Sequence, residues 1–523
     1  MGVFLPYGRY RRRDEQSDVS RQDLKAGLRT LDQAELDNKR VLVRVDLNVP
    51  MEDGKVADAT RIERSAPTIR EIADKGGKVI LLSHFGRPKG PDSKDSLKQV
   101  VPAVAAALGR PVGFVPDCIG EEARVAINRM LSCEVVCLEN TRFHKGEERN
   151  DPEFVAELAA LGDVFVNDAF SASHRAHASV EGLGHCLPAY AGRAMQEEVE
   201  TLTNVLESPT RPLAAIVGGV KISTKLELLG NLLEKVDVLV IGGGMANTFL
   251  AALGKPVGKS LCEHDRVAQA RDILEKAKGA HREIVLPLDV VTAEKLEPNA
   301  PSRTVSVDAV QPSDMILDIG RRSIEHVCSV LARAKTLVWN GPLGAFETEP
   351  FDTGTIEVAE AAAELSSTGE LVSVAGGGDT VSALHAAGAA ERFTYVSTAG
   401  GAFLEWLEGR RLPGVEILKL EVNSTGFVYN ANVPPNHHHW TRRVNRLSLT
   451  AETPGADSAA TRIAFRSASD LVIPQRSTTP PLTVTFRRNV SSHPCAFRCA
   501  SSLSRMAASE SGISGPLRAL ATA

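Results

Sequence analysis

The chain has 523 residues, 43% of them hydrophobic, which is more than one core usually organises, so at least two domains are expected. Its 60 Lys+Arg against 65 Asp+Glu leave a formal charge of −5, which argues against an overall basic field for nucleic acid or an anionic membrane and points to small anions met by local positive charge. Eight cysteines with neither a CxxC nor a paired zinc-ligand spacing, no apolar run of membrane-spanning length, and an opening without signal- or transit-peptide character read as a cytoplasmic enzyme with reduced thiols.

Beyond an opening at 1–22 that is expected to be disordered, short apolar runs alternate with helical patterns, as in parallel strands joined by crossover helices. The first strands are expected at 39–49, 77–84, 133–140 and 163–170. Among them, DPEFVAELAALG starts a helix with Asp151 as N-cap and Pro152 at the first helical position. The segment 194–208, AMQEEVETLTNVLES, spaces its apolar residues as a connecting helix. Further strands follow at 212–219, 236–243, 282–291, 335–342, 370–377 and 393–401, and Thr224-x-x-Glu227 reads as a capping box. The fold class is therefore α/β, two doubly wound parallel-sheet domains joined by a helix and hinge. After 418 the rhythm stops, and the Ser-, Thr-, Pro- and Arg-rich stretch 420–523 is expected to be a disordered tail. His437-His438-His439 within it reads first as a solvated triplet, with metal binding as the alternative.

Ligands of open α/β sheets bind outside the carboxyl ends of the strands. In the first half those ends carry Asp46-x-Asn48, Ser83-His84-Phe85-Gly86-Arg87, Glu139-Asn140-Thr141-Arg142 and Asn167-Asp168, the last running on to His174-Arg175, with Arg61 after the first strand. Guanidinium forks at matching strand ends suit phosphate or carboxylate. The second half carries glycines instead: Gly218-Gly219 before Lys221 and Lys225, Gly242-Gly243-Gly244, and Gly376-Gly377-Gly378-Asp379-Thr380. Glycines admit a phosphate close to backbone N–H groups at a helix start, and Asp379 is available to a Mg²⁺ ion riding on nucleotide phosphates. Asn340-Gly341-Pro342-Leu343-Gly344-Ala345-Phe346-Glu347 offers an apolar shelf for a base and a carboxylate for ribose.

The motifs VRVDLNVP, SHFGRPKG, LENTRFH, NDAFSASHRAH, PAYAGR, GGVKISTK, GGGMANTF, WNGPLGAFE and GGGDT, in this order over about 28–418, resemble the phosphoglycerate kinases of bacterial type. The resemblance implies 3-phosphoglycerate or its acyl phosphate on Asp46, Leu47, Asn48, Arg61, His84, Phe85, Gly86, Arg87, Arg142 and Arg175, with His174 beside them. It implies ATP or ADP with Mg²⁺ on Gly219, Lys221, Lys225, Gly243, Gly341, Pro342, Glu347, Gly377, Gly378, Asp379 and Thr380, with Asp379 toward the metal. Arg61, Lys221 and Lys225 are then the catalytic cations. Val220 and Ser173 depart from the commoner family residues without removing a ligand. The implied domains are 23–193 for the three-carbon substrate, 194–208 as the interdomain helix, 209–408 for the nucleotide, and 409–419 returning to the first domain.

Transfer of a phosphoryl group to a carboxylate needs positioning and charge neutralisation, and an acceptor already ionised at neutral pH needs no general base. His84 and His174 thus read as hydrogen-bonding residues. The expected enzyme is a monomeric glycolytic kinase that closes its domains about the 194–208 helix, free of nucleic-acid or membrane partners. A nicotinamide dehydrogenase is disfavoured, since no GxGxxG follows a strand with an acidic residue some 20 positions on. An inert kinase-fold scaffold recruiting partners through its tail is the alternative.

Overall fold

The computed structural model describes residues 27–422 and four short strands beyond them, Val428–Tyr429, Leu449–Glu452, Arg462–Ile463 and Thr483–Thr485. Two six-stranded parallel sheets dominate the described chain. In the first, Arg40–Arg44 lies centrally between Lys78–Leu82 and Val164–Asn167, with Val135–Leu138 and Gly113–Val115 outside the former and Ala189–Ala191 outside the latter. The second repeats the plan, with Leu213–Val217 between Val238–Ile241 and Thr336–Asn340, flanked outward by Glu283–Val285 on one side and Val372–Gly376 and Tyr395–Ser397 on the other. In each sheet the winding therefore reverses its direction beside the first strand, and that reversal opens a crevice at the strands' carboxyl ends.

The sheets are covered on both faces, which is why the central residues of their strands are mostly apolar. Leu42, Ile80, Leu82, Leu138 and Phe165 pack on one face of the first sheet, while Val41, Val43, Val79, Leu81, Val164 and Val166 pack on the other. The helix Arg193–Glu207 buries Met195, Val199, Leu202, Val205 and Leu206, and through it the first of these clusters continues into Leu213, Ala215 and Val217 of the second sheet. Burial at this helical spacing makes the connection part of a core. The start of this helix is held by Asp168, whose carboxylate accepts from the Met195 N–H at 3.1 Å. Nearby, Leu418 O accepts from Arg29 N at 2.8 Å and Gly414 O from Asn167 Nδ2 at 2.9 Å.

Asp151 caps Pro152–Ala159 by accepting from Glu153 N and Phe154 N, with Pro152 in the first turn. Elsewhere the structure corrects the expectations. The run 282–291 divides at Leu286-Pro287-Leu288 into Glu283–Val285 of the parallel sheet and Asp289–Ala293, the central strand of a small antiparallel sheet with Ser302–Ser306 and Met315–Ile319. Proline cannot donate to a ladder, so it ends one strand before the next begins. Thr224 forms no capping box; its hydroxyl donates to Lys221 O at 2.9 Å, and Leu226–Lys235 starts after Lys225. Within 420–523, expected to be disordered, the described residues include antiparallel pairing of Leu449–Glu452 with Arg462–Ile463 and with Thr483–Thr485, segments containing β-favouring Leu, Ile, Val and Thr. The 1–22 opening and His437–His439 lie outside the described residues.

Candidate active site

The first domain builds its crevice by tying loops together beneath a layer of cations. Beyond the Arg40–Arg44 strand, Asp46 Oδ2 pairs with Arg61 Nη1 at 3.1 Å and accepts from the Ser171 hydroxyl at 2.5 Å. The same Arg61 nitrogen donates to Asn48 O at 2.8 Å, and Asn48 Oδ1 accepts from Gly86 N at 2.8 Å. Leu47 N donates to Ser83 Oγ at 3.0 Å, and Phe85 N donates to Asn140 Oδ1 at 3.1 Å. Gly86 turns with a φ of +59°, exposing its carbonyl to Arg142 Nη1 at 2.6 Å. Arg175 Nε donates to His174 Nε2 at 3.2 Å. Arg87 is exposed.

Electrostatically this is a cluster of cations facing one another. Burial and then Arg175 lower the affinity of Arg142 for its proton. Burial, followed by the field of Arg142, takes His177 down to about 4. Burial, then Arg44, Arg142 and Arg175, holds His84 well below the usual imidazole range. His84 is thus neutral at pH 7, and Arg44 Nη2, a donor only, lies 2.9 Å from its Nδ1. That contact makes Nδ1 the acceptor and leaves the proton on Nε2. His174 is also lowered, mainly by burial. Both rings are poor general bases but sound hydrogen-bonding groups.

Arg44 was not singled out in the sequence. It is 1% exposed, donates to Ser179 Oγ at 2.9 Å and to Val45 O at 2.5 Å, and shares Ser179 with the fully buried Glu147, whose Oε1 accepts from that hydroxyl at 2.6 Å. On the strand it looks like an ordinary polar position; Ser179, the partner it shares with Glu147, lies more than a hundred residues away.

The second domain builds its crevice from backbone. Gly218 N donates to Asn340 O at 2.9 Å across the switch point, and a Cβ on Gly218 would lie 1.9 Å from Pro342 O. Gly341 has a φ of +102° and Gly243 a φ of +67°, and each faces the backbone of Gly218 or Gly219 at under 3 Å from where a Cβ would sit. The loops after three strands are interlocked, and no side chain fits between them. Lys225 enters this cradle: its Nζ donates to Gly218 O at 2.7 Å and Asn340 Oδ1 at 2.5 Å. Burial drops its pKa to about 8, opposed by Asp379. Thr380 Oγ1 accepts from Gly341 N at 2.7 Å, and Gly377 turns with a φ of +99° to start the helix Gly378–Ala386. Lys221, Glu347, Gly378 and Asp379 are exposed around this loop set. Asn340 is the other residue whose role was not read from the sequence, as the anchor of Lys225.

The structure thus gathers the expected residues into two groups, one in each domain. Arg61 reaches across to the second domain, donating from Nη2 to Thr398 O at 3.4 Å, and the Gly401 backbone lies against the His174 ring. Among the described residues no hydrogen bond or ion pair joins Lys221, Lys225 or Asp379 to the first-domain arginines. Several strand-end residues that looked like ligands are scaffolding: Glu139 accepts from Ser96 Oγ, Leu97 N and Asn140 N, and Asn140 holds both Phe85 N and Phe85 O. Asp168 is spent on its helix start, and burial raises its pKa to about 7. Among the described residues no helix is long and apolar enough to cross a membrane.

Residues 31–410 match the family model described as phosphoglycerate kinase. A phosphoglycerate kinase of Xanthobacter autotrophicus is 63% identical over 391 residues, 75% of this chain and 99% of that protein. One of Bradyrhizobium diazoefficiens is 61% identical over 393 residues, again 75% of this chain and 99% of its own length. The solved structure of phosphoglycerate kinase from Coxiella burnetii superposes with a TM-score of 0.70 at 41% identity, covering 75% of this chain and 98% of that one. With two parallel-sheet domains, a cationic crevice in one and glycine loops in the other, the chain belongs to the phosphoglycerate kinase family, a family of phosphotransferases.

Proposed function

We propose that the protein transfers a phosphoryl group reversibly from 1,3-bisphosphoglycerate to ADP, giving 3-phosphoglycerate and ATP, as a monomeric cytoplasmic enzyme of glycolysis and gluconeogenesis. The observation that carries the substrate assignment is the mutual repulsion of the first-domain cations. Burial and then Arg175 work against the charge on Arg142, and burial with the same positive field keeps the His84 and His177 rings neutral, a field that a bound polyanion relieves. Arg61, Arg87, Arg142 and Arg175 take the phosphate and carboxylate of the three-carbon substrate. Asp46 and Asn48 with Leu47, Phe85 and Gly86 shape the floor, and His84 donates from Nε2, with His174 alongside.

The nucleotide occupies the second domain, with its phosphates over Gly219, Gly243 and the Gly377–Thr380 loop, the base near Gly341 and Pro342, and the ribose toward Glu347. Asp379 fits a Mg²⁺ site: it is exposed, it makes no hydrogen bond or ion pair among the described residues, and such ions take one or two carboxylates besides phosphate oxygens. The ion would neutralise phosphate charge there. Lys221, Lys225 and Arg61 stabilise the equatorial oxygens in flight, which is where catalysis of this transfer resides. Because the acceptor is a carboxylate, no side chain removes a proton.

The segments 23–193 and 209–408 act as the two binding domains, and closure about 194–208 brings them in line, with 409–419 fastened to the first domain. Purified protein is expected to phosphorylate 3-phosphoglycerate with ATP only when Mg²⁺ is supplied, and to stop on chelation by EDTA. A folded protein with no turnover would instead favour the inert scaffold.

A further inference from the structure

Beyond the edge strand Gly113–Val115 of the first sheet, Asp117, Cys118 and His144, none of them assigned above, bring one ligand atom each to within 4.8 Å of one another. Asp117 and Cys118 lie between the strand Gly113–Val115 and the helix Gly120–Asn128; His144 follows the turn Thr141–Phe143. The three donors thus come from two separate segments. Asp117 Oδ1 accepts from the N–H groups of Cys118 at 2.6 Å and Ile119 at 3.3 Å, and it lies 2.7 Å from His144 Nε2. The imidazole is stacked on Phe154, with centroids 5.2 Å apart and planes at 26°. Backbone and ring contacts of this kind hold ligands in place before a metal arrives.

Asp117 and His144 also form part of the wall of a cleft of about 660 Å³ that carries Asp92, Ser96, Lys98 and Glu139, whereas the Cys118 side chain is fully buried behind them. One sulfur, one imidazole nitrogen and one carboxylate oxygen, with a cleft on the side of Asp117 and His144, is a three-ligand set with room for a fourth ligand. Such a set suits Zn²⁺, which accepts these donors tetrahedrally. We propose that Asp117, Cys118 and His144 form a Zn²⁺ site whose fourth position faces this cleft. On binding, the thiol proton leaves to solvent and the imidazole proton passes from Nε2 to Nδ1, freeing Nε2 for the metal. The Asp117–His144 contact then opens from a hydrogen bond to the wider separation of two ligands on one ion.

Cobalt(II) reports on the site, because a thiolate–cobalt bond gives a near-ultraviolet charge-transfer band that imidazoles and carboxylates alone do not. The reduced full-length protein is expected to show this band saturating at one equivalent of Co²⁺ and bleaching when Zn²⁺ is added. Cys118→Ser should abolish it, and His144→Gln should weaken Co²⁺ binding by at least about tenfold. Cys133→Ser, Cys186→Ser and Cys262→Ser should leave it intact, and the His437–His439 triplet contributes no thiolate. No band in the wild type, or a band that survives Cys118→Ser, overturns the proposal. Should Cys118→Ser not fold, the half-exposed His144→Gln decides: unchanged Co²⁺ affinity overturns the site.

Discussion

The two crevices meet the same chemical problem, binding oxyanions, with opposite materials. The first domain uses side chains, setting the charged Arg142 among the neutral rings of His84 and His177 and the buried Arg44 and Glu147. The second uses interlocked glycine backbone with one buried cation, Lys225. A side-chain crevice is specific but carries its electrostatic strain permanently, whereas a backbone crevice is neutral and tolerates no added atom. The first should therefore fail by loss of charge and the second by loss of space.

The largest effect is expected where the charge acts on the transferring group. Arg61→Ala should lower kcat by about 10²–10³-fold, the cost of losing one preorganised donor to developing charge. Its side chain is 34% exposed and its ion pair with Asp46 is half open to water, so urea denaturation should register a loss of about 1 kcal/mol or less. A variant that lost stability but kept its turnover would show that this arginine is structural.

Next comes a contrast within the second domain. Gly218→Ala puts a methyl 1.9 Å from Pro342 O, where backbone must move, and should destabilise the protein by about 1–3 kcal/mol and raise KM for nucleotide. Gly378→Ala meets nothing within 4 Å and should leave thermal stability nearly unchanged. If the two behave alike in calorimetry, the interlocked cradle is not what holds the loops.

The smallest effect at neutral pH sharpens the comparison through titration. With a pKa of about 8, Lys225 is charged below that value and neutral above it, so kcat/KM for the nucleotide should fall as pH rises through 8, up to tenfold per unit. Lys225→Arg, which stays charged, should remove this inflection whatever it does to the rate. A profile flat from 7 to 9.5 in the wild type would place the functional pKa of Lys225 elsewhere.

These differences also explain what could be read from the chain. Arginines at strand ends and glycine runs before helices are local signals, and both crevices were visible in that way. Arg44, Asn340 and the scaffolding roles of Glu139 and Asp168 were not, because each is decided by partners distant in sequence: Ser179 for Arg44, Lys225 for Asn340, Met195 for Asp168. The same holds for the fold. Central strands with both faces buried announce themselves as apolar runs, whereas the edge strands Gly113–Val115 and Ala189–Ala191 are three residues long and exist only through their neighbours. The run broken at Pro287 looked continuous because both its halves are β-branched and apolar.

Arg44 beneath His84 has one further consequence. Burial of the ring, and then a guanidinium at its Nδ1 that cannot lose its own proton, stop the imidazole from gaining one anywhere near physiological acidity. His84 then adds no charge to the first domain's pocket on mild acidification, whereas a phosphate monoester, whose second ionisation lies at about 6, changes its own charge in that interval. At this ring, acidification of the surroundings is answered by the charge of the ligand and not by that of His84.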